Sequence, residues 1–282
     1  MNRIRAAGVV WIASDIHLGP RVPLTREAFF QFLASAARDA DALILCGDLF
    51  DAWIGDDVAL RDPPPWLADT LHQLKNTAAA IPLWLGHGNR DFLMGPELAD
   101  HLGARLLPDV CLLATDHCGD ILLSHGDEYC IDDKRYQRFR RLVRTRWVQR
   151  AFLALGLRTR QRIGNWARQR STAMNRNKPA EIMDVSPRAV AQAFARSGLD
   201  TMVHGHTHRP AIHRATIDGR PRTRIVLPDW QYDEARVRGG WLVIEESGPR
   251  LIQAPPFIDP SGHRANRRHG TTNTGAADAQ SV

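Results

Sequence analysis

Cysteine is scarce: Cys46, Cys111, Cys118 and Cys130 are the only four in 282 residues, and no two stand at C-x-x-C spacing. That excludes a disulfide-stapled extracellular scaffold and a cysteine-clustered structural zinc site, and it favours a reducing compartment with unpaired thiols. Long apolar runs are missing too, since none approaches the roughly 18 residues of a membrane span. The N-terminus comes nearest, where Arg3, Arg5 and the apolar Ala6 to Ala13 imitate a signal peptide, but the run stops at Asp15 and His17. A strand feeding a polar loop describes it better, and the chain is expected to be cytoplasmic. Acidic residues are absent from one stretch: between Lys134 and Lys178 there are 15 Lys and Arg and no Asp or Glu. Of the 37 basic residues, that leaves 22 against all 31 acidic ones elsewhere, so the net +6 conceals a body of about −9 and one strongly cationic segment. Such a segment serves an anionic partner, nucleic acid, lipid head groups or a phosphorylated substrate, or is simply a solvated helix face.

With 44% hydrophobic and 24% charged residues, the chain has the composition of a soluble globular protein and the length for one large domain or two small ones. Val9 to Ala13, Ala42 to Cys46 and Leu83 to Leu85 read as buried strands that each deliver a glycine-containing polar loop. Between the first two, Thr25 to Arg38 has a helical apolar face of Phe29, Phe32, Leu33 and Ala36, with Thr25 as its expected cap and Leu24 stapled onto Phe29. Leu67, Leu71 and Leu74 mark a second helix behind a proline run. Further strands at Ile121 to Leu123, Thr201 to Val203, Arg224 to Leu227 and Trp241 to Ile244 make the second half β-rich, which suits two facing sheets flanked by helices. Ile131 to Pro179 reads as a helical insertion, with Tyr136, Phe139, Leu142 and Val143 on one side of its first helix. Ser186-Pro187 opens a helix that closes at Gly198. Beyond about Pro255 the sequence loses periodicity and reads as a disordered tail.

Five clusters, each just after an expected strand, gather the strong oxygen and nitrogen metal ligands: Asp15-x-His17, Gly47-Asp48-x-x-Asp51, Gly88-Asn89-Arg90-Asp91, His125-Gly126-Asp127 and Gly205-His206-Thr207-His208. One Asp-x-His is weak, but five such clusters in order are not accidental. Carboxylate, imidazole and amide oxygen together suit Mn²⁺, Fe²⁺ or Zn²⁺ better than an all-oxygen Ca²⁺ or Mg²⁺ cage. Asp48, central in the order, is the natural bridge between two metals. Such a pair can lower the pKa of a shared water and hold both sides of a phosphoryl group, so the expected reaction is hydrolysis of a phosphate ester or anhydride.

On these motifs, from about Val9 to Val243, the sequence resembles the calcineurin-like metallophosphoesterase superfamily. The resemblance implies an α/β fold, a four-layered αββα sandwich. It also implies one metal on Asp15, His17, Asp48 and His208, and a second on Asp48, Asn89, His125 and His206. Asp51 and Asp127 are read as residues that orient these ligands or cap helices. Most members follow Gly-Asn with a histidine that protonates an alcohol leaving group, whereas this chain has Arg90, which stays charged. A phosphate monoester, whose second pKa is about 6, leaves without that proton. Arg90 therefore points to pyrophosphate cleavage, its guanidinium bracing a phosphate oxygen.

The strings SDIHLG, GDLFDAWIGDD, HGNRDFLMG, SHGDEYCIDDKRYQRFR, IMDV and VHGHTHRPAIH narrow the resemblance to the UDP-2,3-diacylglucosamine pyrophosphohydrolase family of lipid A synthesis, over about 240 residues. That family cleaves a nucleotide-activated, doubly acylated glucosamine to UMP and the acylated sugar 1-phosphate, usually with two Mn²⁺. Carried over by residue, its substrate contacts are Asn89, Arg90, Asp133, Ser171, Asn175, Lys178 and His206, and its catalytic set is Asp48, Asn89, Arg90 and His206. The expected organisation is a metallophosphoesterase domain at 1–257, a helical lid insertion at about 131–179 and a tail at 258–282. The expected partners are the UDP-linked diacylated glucosamine and, peripherally, the anionic cytoplasmic face of the inner membrane. No nucleic acid is expected, and the chain is expected to be monomeric. The rival readings are a nuclease of the same superfamily or a hydrolase of another nucleotide-linked pyrophosphate. A nuclease should show a phosphate-tracking groove with base-stacking aromatics, and none is evident.

Overall fold

A computed structural model describes residues 1–176 and 184–253, with the backbone alone between 168 and 176. In chain order the first elements are β1 (Asn2–Ala6), β2 (Val10–Ala13), α1 (Pro23–Asp39), β3 (Ala42–Leu45), α2 (Asp57–Leu60), α3 (Pro65–Ala80) and β4 (Leu83–Leu85). Then come α4 (Pro96–Leu102), β5 (Arg105–Leu106), β6 (Val110–Thr115), β7 (Gly119–Ser124), α5 (Lys134–Val143), α6 (Arg146–Leu153) and α7 (Leu157–Arg176). The last are α8 (Pro187–Ser197), β8 (Thr201–His204), β9 (Ala211–Ile217), β10 (Arg220–Val226), β11 (Gly240–Glu245) and β12 (Gly248–Gln253).

Two six-stranded sheets result, ordered β12-β11-β2-β3-β4-β5 and β1-β6-β7-β8-β10-β9. Side chains alternate along each strand, and in the central strands both sides are apolar because both faces are covered. In β2 and β3, Ile12 and Ile44 point into the core between the sheets, while Trp11, Ala13, Leu43 and Leu45 pack on α1 and α3 through Phe29, Phe32, Leu67, Leu71 and Leu74. In β7 and β8, Leu123 and Val203 join the same inter-sheet core, while Leu122 and Met202 face α8 through Val190 and Phe194. The layers are therefore α, β, β, α, as the sequence patterning suggested. The four cysteines are free, and three of them are buried.

Two local expectations need correction. Thr25 does not cap α1. The helix starts at Pro23 after Val22, Leu24 is exposed and staples nothing, and Thr25 is buried one turn in. The cap comes from across the chain: Asp233 accepts hydrogen bonds from the backbone N–H of Leu24 at 3.0 Å and of Thr25 at 2.9 Å, and from the Thr25 hydroxyl at 2.7 Å. The side of α5 that carries Tyr136, Phe139, Leu142 and Val143 is not sunk in a core, since none of the helix's residues is buried, which suits the expected lid. The Ser186 to Gly198 helix is as read, ending on Gly198 in the left-handed conformation. The expected tail lies outside the described residues.

Candidate active site

Apart from glycines, six described residues have a positive φ, and five of them are Asp15, His17, Asp48, His206 and His208, with φ between 52° and 67°. An L-residue holds that conformation only where its surroundings over-determine it, which is why such residues cluster at functional sites. Here the loops after β2 and β3 are laced together: Asp15 N–H donates to Gly47 O at 3.1 Å, His17 N–H to Asp48 O at 2.9 Å and Leu18 N–H to Leu49 O at 2.8 Å. Glycine is required where two loops meet side by side. A Cβ on Gly88 would lie 2.0 Å from Asp48 Oδ1, and one on Gly205 would lie 2.2 Å from Asp15 Oδ2.

These strand-end loops bring all seven expected ligands together. Asp15 Oδ1 lies 3.3 Å from His208 Nε2 and 4.0 Å from His17 Nε2. Asp48 Oδ2 lies 3.8 Å from both His17 Nδ1 and His125 Nε2, midway along the cluster. Asn89 Oδ1 reaches His206 Nδ1 at 2.9 Å and His125 Nε2 at 3.3 Å. Arg90 points its Nη1 at Asp51 Oδ1 at 2.5 Å and its Nε toward Asp48 Oδ2 at 3.7 Å, so Asp51 orients the guanidinium beside the cluster.

Burial shapes the electrostatics. Asp48 is pushed up to about 7, by burial and by Asp91 and Asp15 against the pull of His125 and Arg90. His125 resists its own burial, rising to about 9 because Asp48, Asp15, Asp127 and Asp91 surround it. Burial pushes His206 down to about 4 and holds His17 well below its ordinary value, in each case with help from neighbouring cations. Burial opposes ionisation of Asp15 as well, yet His125, His208 and His17 hold it well below the usual carboxylate range. His17 and His206 are thus neutral imidazoles and Asp15 an ionised acceptor, all three on offer to a cation.

A model of the calcineurin-like phosphoesterase family matches residues 8–210. The chain belongs to that family. A UDP-2,3-diacylglucosamine hydrolase of Bordetella pertussis is 55% identical over 88% of this chain and 96% of its own. Proteins of that name from an Enterobacter strain and from Klebsiella pneumoniae are 41% identical over 86% of this chain and 97% of their own, and 43% over 80% and 92%, respectively.

Calcineurin-like phosphoesterases work with divalent metals, and the donor set here fits them. Asp15, His17 and His208 form one group of ligand atoms all within 4.8 Å of one another, and Asp15, Asp48 and His125 form another. Asp15 Oδ1 and His17 Nδ1 are buried without a hydrogen-bond partner, a costly arrangement that a cation would relieve. Asp15 belongs to both groups, so it reaches further across the centre than the sequence suggested.

Five other residues hold these ligands in place. Asp91, fully buried, accepts from the backbone N–H of Gly88 at 2.7 Å, Asp48 at 3.2 Å and Phe50 at 3.3 Å, tying the Asp48 loop to the Asn89 loop. It stands inside the quoted Gly-Asn-Arg-Asp cluster but has no signal of its own in a single sequence. Asp229 Oδ2 lies 3.5 Å from His208 Nδ1, and nothing in the sequence marks it. Asp127 is buried under α5. Burial opposes its ionisation, but His125, Arg140 and Arg144 hold it far below the ordinary range, and it accepts from Arg140 Nε at 2.7 Å and from the Tyr136 hydroxyl. Tyr136 in turn stacks on His206 at 6.2 Å. Arg144 donates to Gly88 O at 3.0 Å, so the insertion grips the loop that carries Asn89.

Among the expected substrate residues, Asp133 caps α5 by accepting from the Tyr136 N–H at 3.0 Å. Positions 171 and 175 fall on the last turns of α7, where their side chains lie outside the described residues, as does Lys178 altogether.

Arg144 also pairs with Asp109 at 2.7 Å, and His87 approaches the same carboxylate at 3.5 Å. Burial would raise Asp109, but His87 and Arg144 hold it down at about 2. A depressed carboxylate stabilises the fold above its unfolded value of about 3.9 and loses that contribution as pH falls toward its folded value. Asp109→Asn is therefore expected to melt below wild type at pH 5–7, with the gap closing by about pH 2 in paired thermal melts. A gap that persists unchanged at pH 2 would mean that the ion pair is not its source.

Proposed function

We propose that the protein hydrolyses the pyrophosphate of UDP-2,3-diacylglucosamine, adding water to give UMP and 2,3-diacylglucosamine 1-phosphate. The names of its relatives support this reading. The structural feature that carries it is the insertion beside the carboxylate–imidazole centre. Of the thirteen exposed large apolar side chains among the described residues, nine lie between Ile131 and Trp166, on the segment that also holds the cationic excess. A surface both cationic and apolar suits a diphosphate carrying two acyl chains, and it suits the anionic membrane surface where such a substrate resides. No helix among the described residues is long and apolar enough to cross a membrane, so peripheral contact on the cytoplasmic face of the inner membrane, by a monomer, completes the reading.

In this reading Asp15, His17, Asp48 and His208 hold one divalent ion, Mn²⁺ by preference, and Asp48, Asn89, His125 and His206 hold the other. When bound, such a pair supplies Lewis acidity toward a phosphoryl oxygen and lowers the pKa of a water. Asn89 and His206 position the phosphates from the insertion side. Arg90, oriented by Asp51, braces a phosphate oxygen as negative charge gathers, and the departing sugar 1-phosphate needs no proton from the protein. Asp133, Ser171, Asn175 and Lys178 contact the acylated sugar from the insertion at 131–179 of a domain spanning 1–257, and 258–282 is an accessory tail.

Leu142 and Leu155 are exposed on the insertion. Changing both to Ser is expected to raise KM for the diacylated substrate by up to about a hundredfold, since each lost CH₂ contact is worth at most ~0.8 kcal/mol. Hydrolysis of bis(4-nitrophenyl) phosphate by the same variant should stay near wild type. Equal losses on both substrates would sink the role of the insertion in lipid selectivity.

A further inference from the structure

Among the described residues of the insertion only two are buried, Asp133 and Arg160. Arg160, near the start of α7, is 3% exposed in a segment whose other described cations reach solvent. Its guanidinium is engaged on all sides: Nε donates to Leu155 O at 3.0 Å, Nη1 to Ile54 O at 2.6 Å and to Asp57 Oδ1 at 2.8 Å, and Nη2 to Asp57 Oδ2. Burying a guanidinium is costly even when it is paired, and an apolar side chain of similar volume docks one segment on another at least as well. What the charged fork adds is direction, because it holds a carbonyl and a carboxylate in a set geometry.

Ile54 and Asp57 belong to the 51–57 loop, which backs Arg90. Trp53, the residue before Ile54, donates its backbone N–H to Arg90 O at 3.0 Å, and Asp51 Oδ1 accepts from Arg90 Nη1 at 2.5 Å. Asp56 ties the loop to the main body, accepting from Trp53 Nε1 at 2.9 Å and, at the start of α4, from the backbone N–H of Gly95 at 2.9 Å and of Leu98 at 3.0 Å. The loop and the insertion fit closely. Gly55 stands at φ 132°, where a Cβ would overlap Arg160 Nη1, and a Cβ on Gly164 of α7 would lie 3.0 Å from Ile54 Cγ2. Two hydrogen bonds on adjacent residues of this loop therefore connect Arg160 to the backbone of Arg90.

We propose that Arg160 is a positioning residue for Arg90: by clamping Ile54 O and Asp57 it sets the 51–57 loop, and through Asp51 and the Trp53 N–H it fixes where the Arg90 guanidinium meets the reacting phosphate. The insertion then takes part in the chemistry as well as in holding acyl chains, since Arg144 grips Gly88 O on the other side of Asn89. The proposal rests on the pyrophosphohydrolase reading of Arg90 as the phosphate brace. It differs from simple docking of the insertion in its consequence. A docking residue acts on lipid binding, whereas a positioning residue acts on turnover of any phosphodiester at the centre, including one without acyl chains.

The test uses the full chain loaded with Mn²⁺. Arg160→Met keeps a long side chain and removes the fork. Asp57→Asn removes the partner charge from outside the insertion, and at a carboxylate 26% exposed it is the gentler change. Each is made alone and together with Arg90→Lys, and kcat and KM are measured on UDP-2,3-diacylglucosamine and on bis(4-nitrophenyl) phosphate, with Tm beside them. In both single variants kcat is expected to fall about 10–100-fold on both substrates, with KM for the diacylated substrate within about threefold of wild type. In the Arg90→Lys background the same changes are expected to cost less than about threefold more, because the group that they position is already gone. A raised KM for the diacylated substrate with turnover of the small diester intact would reduce Arg160 to a docking residue and overturn the proposal. Losses that multiply with that of Arg90→Lys would overturn it too, and either result leaves the pyrophosphohydrolase reading standing. Wild-type rates for Arg90→Lys on both substrates would remove the brace from that reading, and the proposal with it.

Discussion

Asp48→Asn is expected to lower turnover by more than about a thousandfold while the protein still folds. Asp48 is 2% exposed, and its Oδ2 stands 3.8 Å from an imidazole of each proposed ligand set, which places it to serve both ions. Asparagine keeps the shape, tolerates the φ of 52° better than most residues and can still accept the Arg90 N–H that now bonds Oδ1 at 2.8 Å. What it loses is the charge. Burial raises the folded pKa of Asp48 to about 7, above its unfolded value, so ionising it costs the fold stability that grows as pH rises from about 4 toward 7. The metal-free variant should therefore melt at or above wild type at neutral pH, while the gain in Tm on adding Mn²⁺ should shrink sharply. Near-normal turnover, or an undiminished metal-dependent gain in Tm, would remove Asp48 from the bridge.

Arg90→Lys is expected to lower kcat/KM by about 10–1,000-fold, equivalent to about 1.4–4 kcal/mol. Lysine keeps the charge but cannot hold Asp51 with one nitrogen and face the centre with others, as the Arg90 fork does. Arg90→His is the sharper case, because it restores the imidazole that most calcineurin-like phosphoesterases carry after Gly-Asn. If the leaving sugar phosphate needs no proton, that variant gains nothing on the pyrophosphate, and a rate above wild type would contradict the argument from the leaving group. Measuring both variants on the acylated UDP-sugar and on an alkyl phosphodiester separates bracing from proton donation.

The strand-end loops were legible because their chemistry is local. Each of the five ligand clusters carries its own glycine and its own polar side chains within a few residues, and the flanking strands are apolar on both faces. What the sequence concealed depends on contacts between distant segments. The cap of α1 is Asp233, 208 residues beyond Thr25, so a local search settled on Thr25 itself. Arg160 looked like one more cation of a solvated insertion, yet it is 3% exposed and donates to Ile54 O at 2.6 Å and to Asp57, more than a hundred residues away. The outer strands escaped notice for a different reason. β1 and β9 lie at the margins of one sheet, where Arg3, Arg5, His213 and Arg214 interrupt any apolar pattern, and β5 is only two residues long. Asp229 forms no motif, and only the approach of its segment to His208 gives it a place at the centre.

The most direct measurement follows UMP release from UDP-2,3-diacylglucosamine by the purified full-length chain, with and without Mn²⁺, beside single-stranded DNA and bis(4-nitrophenyl) phosphate at matched concentration. The account predicts Mn²⁺-dependent release of UMP and 2,3-diacylglucosamine 1-phosphate in equal amounts, with kcat/KM orders of magnitude above that for the small diester and no cleavage of DNA. Preferential cleavage of DNA, or UMP release that chelation of divalent ions leaves untouched, would contradict it.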